Sequence, residues 1–109
     1  MSHKLTLDTL FSGTSQAASF SSEVVNFSYL NQGSFQVVIT TAGGVTWTAA
    51  VQGSNDGVTF IDTATPTAVT GSTNLMLSIA DLTSVYYRVN FVRTAGTLST
   101  VSVIAAGKG

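Results

Sequence analysis

The sequence predicts an all-β fold: a single-domain antiparallel β-sandwich of jelly-roll or related Greek-key type, with about eight strands. Three observations carry that expectation. Apolar and polar side chains alternate residue by residue through most of the chain, and Gly, Asn, Asp and Ser punctuate the alternation. No segment of useful length shows a helical period. The 109 residues fit one domain built around one core.

Taken in order, residues 4–10 alternate and read as a first strand at an edge or terminus, and 11–16 read as a Ser/Gly/Thr loop. Residues 17–20 and 23–29 form a strand region interrupted near Ser21-Ser22, with Val25, Phe27 and Tyr29 on one face. Asn31-Gln32-Gly33 then supplies a turn. Residues 34–41 place Phe35, Val37 and Ile39 opposite Gln36, Val38 and Thr40, and Ala42-Gly43-Gly44 gives the backbone freedom for reversal. Residues 45–53 put Val45, Trp47, Ala49 and Val51 on one face, which makes Trp47 a core anchor between sheets.

Asn55-Asp56-Gly57 supplies the left-handed conformation of a tight hairpin turn, after which 58–62 resumes alternation with Val58 and Phe60. Residues 63–73 hold the only proline, Pro66, and read as a longer connection or a short edge strand. Residues 74–80 carry Leu75, Leu77 and Ile79 on one face, and 81–84 could make one capped turn of helix. Next, Tyr87, Val89 and Phe91 oppose Tyr86, Arg88, Asn90 and Val92, and 98–105 returns after Ala95-Gly96 as a second hairpin. Residues 1–4 and 106–109 are expected to be mobile or used in assembly.

Charged side chains make up 8% of the sequence, against about 25% in an ordinary soluble domain, and Ser and Thr largely take their place. A formal charge of −1 gives no long-range field to attract nucleic acid or an anionic membrane, so neither is an expected partner. There is no cysteine, hence no disulfide framework or thiolate chemistry. The start of the sequence lacks the apolar stretch of a signal peptide, and export by a standard signal is not expected.

The candidate chemical sites are sparse. Ser54-Asn55-Asp56-Gly57 could offer oxygens to calcium, but the loop is short and only Asp62 lies near in sequence; a structural turn explains Asn55, Asp56 and Gly57. The single histidine is His3, which leaves no readable base for a serine nucleophile, and the carboxylates are scattered. Neither an enzyme nor a bound cofactor or metal is expected. Trp47, Phe60, Tyr86 and Tyr87 could form an aromatic platform for a neutral glycan, or fill the core with one adjacent tyrosine pointing outward. Arg88 and Arg93 lie one per face of their strand, with Asn90 beside Arg88, too few for a nucleic-acid stripe. Tyr86, Arg88, Asn90 and Arg93 are instead the candidate interface of a homo-oligomer, so Arg88→Ala or Arg93→Ala should weaken self-association.

In order and spacing, several segments together resemble small virion proteins of bacteriophages: Gln36-Val37-Val38, the run VQGSNDGVTF at 51–60, Tyr87-Arg88-Val89-Asn90-Phe91, RTAGTL at 93–98 and Gly107-Lys108-Gly109. The resemblance covers roughly the last two thirds of the chain. In those proteins a strand with S-x-D-G-x-x-W/F precedes Y-x-R-x-x-Y/F and T-x-G-T, and the chain ends in Lys-Gly; Phe60 stands here where Trp is common, and Ala95 where Ser is. The resemblance implies a capsid-associated or decoration-type β-sandwich of the virion, assembled in the host cytoplasm, whose partners are its own copies and other virion or capsid proteins. The alternative is a receptor-facing module that binds neutral glycans.

Overall fold

A computed structural model describes residues 5–27, 30, 32–79 and 84–108. Ten strands follow in chain order: β1 (Leu5–Gln16), β2 (Phe20–Ser21), β3 (Val25–Asn26), β4 (Gln32–Thr40), β5 (Thr46–Ser54), β6 (Ile61–Asp62), β7 (Thr67–Val69), β8 (Thr73–Ile79), β9 (Tyr86–Ala95) and β10 (Leu98–Lys108). All pair antiparallel. One sheet runs β1-β10-β4-β8; in the other, β9 and β5 are central, β2 and β3 lie in succession along β9, and β6 and β7 lie in succession along β5. The ten segments therefore fill eight strand positions, four in each sheet. Between successive positions the chain changes sheet everywhere except from β5 to β6, which is the winding of a jelly roll.

The alternation read from the sequence becomes a core between the sheets. Phe35, Val37 and Ile39 of β4 and Val101, Val103 and Ala105 of β10 face Trp47 and Ala49 of β5 and Tyr87, Val89 and Phe91 of β9, all buried. Phe20 stacks between Phe11 and Phe91 at 4.6 Å on each side, and meets Trp47 edge-on at 6.0 Å. Stacked rings at this spacing add to their burial energy and fix how the sheets sit at this end of the molecule. Phe27 and Leu30 lie over Gly107 so closely that a Cβ there would stand 3.0 Å from the Phe27 ring, which gives that glycine a packing reason.

Several elements differ from the sequence expectation, each for a physical reason. Residues 11–16 continue β1 rather than forming a loop: a register shift between Thr9 and Phe11 brings both Leu10 and Phe11 to the core side, so the alternation breaks while the ladder to β10 goes on. The strand expected over 58–62 is reduced to Ile61–Asp62, because the backbone donors ahead of it are bound elsewhere. The turns at 42–44 and 94–97 do not close hairpins. Each carries the chain from one sheet to the other, since β4 and β10 lie opposite β5 and β9. Residues 106–108, read from the sequence as a tail, are the end of β10 and pair with both β1 and β4. The helical turn expected over 81–84 lies, apart from Ser84, outside the described residues, as do 1–4, Tyr29 and residue 109.

Candidate functional site

The loop after β5 is organised by one carboxylate. Asp56 Oδ1 accepts the Val58 N–H at 2.8 Å, the Thr59 N–H at 2.9 Å and the Ser54 hydroxyl at 2.8 Å. Ser54 Oγ in turn accepts the Gly57 N–H at 3.0 Å, and Gly57 takes φ +76. These donors, the Val58 backbone amide first, hold the Asp56 carboxyl at a pKa of about 2, below its ordinary 3.8. Asn55 Oδ1 accepts the Val85 N–H at 3.2 Å, which ties the loop to the start of β9. The loop spans from Gly53 to its ladder partner Ile61, wider than the two-residue hairpin that Asn55, Asp56 and Gly57 would predict. Asp56 and Asp62 line the same open depression, and with its carboxyl held at a pKa of about 2 Asp56 is a weak base near neutrality.

The outer face of the six-stranded sheet carries the side chains singled out on β9. Arg88 Nε donates to Gln52 Oε1 at 2.9 Å, and Gln52 Nε2 donates to Asp62 Oδ1 at 2.9 Å, a polar row across β9, β5 and β6. The Arg88 guanidinium also sits 4.1 Å from the centre of the Phe60 ring. Asn90 Oδ1 accepts the Ser21 hydroxyl at 2.7 Å, and Tyr86 packs its ring against Gly57. Arg93, at the far end of the strand, donates from Nε to the Gly96 carbonyl at 2.8 Å. The structure thus gathers Tyr86, Arg88 and Asn90 on one face, leaves Arg93 apart, and engages each within the chain.

Of the four aromatics considered as a sugar platform, Trp47 and Tyr87 are each 1% exposed and lie between the sheets. Trp47 Nε1 donates to Gly96 O at 3.2 Å, and Tyr87 Oη accepts the Ser84 N–H at 2.8 Å, so both polar handles are satisfied. Phe60 and Tyr86 remain half-buried on the outside. Sequence reasoning did not identify Gln52 and Asp62 as the partners of Arg88. The signal that finds them is register: Arg88 lies opposite Gln52, and Gln52 opposite Asp62.

No protein-family model matches the chain, and no curated protein matches it in sequence. Solved structures do match in shape. The SPBc2 prophage-derived protein YomS superposes with a TM-score of 0.69 at 6% identity, over 100% of this chain and 96% of that one. A protein of the Bacillus endospore appendages, a family of disulfide-linked pili, gives 0.60 at 14% identity, over 98% of this chain and 89% of that one. In the VP2 subviral particle of infectious bursal disease virus the match has a TM-score of 0.54 at 12% identity; it takes in 96% of this chain and 33% of the longer VP2 chain. What these counterparts establish is the fold: a two-sheet jelly roll that occurs in a prophage protein, in a pilus and in a viral shell.

Proposed function

We propose that this chain is a non-enzymatic structural protein of a bacteriophage virion, of capsid-associated or decoration type, acting through self-association and attachment to the particle. The observation that carries the reading is the jelly-roll winding itself, over which nearly the whole chain superposes on a prophage protein and on a viral particle protein. Surface character supports it. With 8% charged residues, little full charge has to be stripped of water when a face is covered, so burial against a neighbour costs little. The sequence has no cysteine, so the disulfide linkage of the spore appendages has no counterpart in it.

Cryo-EM and mass spectrometry of purified particles, together with the solution mass of the free protein, test the reading. The protein is expected in the particle at a fixed copy number and as a multimer on its own; a strict monomer missing from purified particles would end the proposal. The glycan alternative has lost two of its four aromatics to the core and would have to use Phe60, already covered by Arg88, and Tyr86. Binding on an array of neutral glycans that Tyr86→Ala removes is the outcome that would favour it.

A further inference from the structure

The two outer faces of the sandwich are chemically unlike. On the six-stranded sheet, side chains such as Arg88, Gln52 and Asp62 bond to one another. On the four-stranded sheet, between the row that begins at Leu7 and the row that begins at Thr14, every outward position holds Ser, Thr, Asn, Gln or an apolar residue. No charged side chain interrupts these rows. Leu7, Ile104, Val38 and Met76 lie on successive strands β1, β10, β4 and β8, each one diagonal step from the next in register. Diagonal neighbours lie about 7 to 8 Å apart, and each strand of the sheet presents one apolar residue of this group to the outside. Leu7 is 68% and Met76 62% exposed, a large apolar area to leave in water.

From this we infer that the outer face of the four-stranded sheet is the surface through which one copy of this chain binds a second copy. The inference rests on the assembly reading above and deepens it. Surface chemistry and area both select a second copy as the occupant. These uncharged rows have nothing with which to select an oppositely charged partner, while hydroxyls both donate and accept and so complement the same hydroxyls presented by a twofold-related copy. The Thr40 and Thr100 hydroxyls, already bonded to each other across β4 and β10, show that such pairing suits this surface. The area of the face agrees. Strands about 4.8 Å apart, with outward side chains every ~6.8 Å, give the face a projection of roughly 500 Å². Side-chain relief adds to this, so two copies together bury on the order of 1,000 to 1,200 Å², the lower limit for a specific complex. An interface at this limit fits a reversible dimer, weak in solution and favoured where copies are held close together.

Sedimentation equilibrium on the wild-type chain, Met76→Glu and Ile104→Glu tests this, with a circular-dichroism melt on each; both positions are exposed, so the fold is expected to persist. The wild type should dimerise, and either glutamate, a charge buried in the apolar contact without a partner, should weaken the dimer by at least ~30-fold. A dimer that persists unchanged in both variants overturns the inference, and its loss in Arg88→Ala instead moves the contact to the six-stranded sheet. A wild type that is monomeric at all concentrations but present in purified particles also overturns it, while leaving the virion reading intact. Absence from particles with an intact, glutamate-sensitive dimer does the reverse.

Discussion

Gly96 does more than turn the chain. Its carbonyl accepts both the Trp47 indole and the Arg93 guanidinium, and its φ of +86 is one that L side chains rarely adopt. A Cβ there would stand 2.7 Å from Val45 Cγ1 and 2.9 Å from Val45 Cα, and backbone does not yield as a flexible side chain does. Gly96→Ala should therefore cost about 2 to 3 kcal/mol in urea denaturation, and a loss below about 0.5 kcal/mol would contradict the steric reading. Asp56 makes a pH prediction. Because folding lowers its pKa from 3.8 to about 2, the stabilisation it provides is complete above its unfolded value and is lost as pH falls through about 2. The Val58 and Thr59 amides should lose hydrogen-exchange protection over that window, and in Asp56→Ala they should lack it at neutral pH as well.

At the scale of elements, the instructive places are where a ladder is broken and repaired by side chains. Between β2 and β3 the chain leaves the edge of β9, and Ser22, 5% exposed, fills the gap. Its N–H donates to the Val89 carbonyl at 2.8 Å while its hydroxyl oxygen accepts the Val89 N–H at 2.9 Å. Ser22→Ala leaves that buried amide without its partner and should cost about 1 to 3 kcal/mol; a neutral effect in thermal denaturation would mean that the strand re-pairs. The interruption itself is legible in the sequence as the pair Ser21-Ser22, but which of the two serves the ladder is not. The same holds after β5, where alternation through Val58 and Phe60 resembles a strand. Asp56 captures the Val58 and Thr59 amides that a ladder would use, and Val58 is left 82% exposed.

For the molecule as a whole, the jelly roll places β1 and β10 side by side, so the two ends of the described chain close one sheet. It also leaves the outward rows of that sheet from Leu7 to Thr14 free of charge, while Arg88 and Asp62 lie on the outer face of the other sheet. Self-association should therefore vary little between low and high salt, because few charges at the contact are available to screen. Analytical ultracentrifugation across a tenfold range of ionic strength checks this; a steep salt dependence would point to the Arg88 face.

The sequence by itself determined which side chains share a face along β4, β5 and β8, because alternation is a local property of an extended backbone. Phe35, Val37 and Ile39, grouped on one face by alternation, are all buried. Only the tertiary structure decided which strand lies beside which, that 94–97 crosses between sheets, and that Arg88 meets Gln52. Ladder hydrogen bonds join backbone groups that every residue but proline carries, so they hold no address for a distant partner. The bulge at Leu10 hid part of β1 for the same reason, since its extra residue is absorbed by a strand that the local pattern does not name.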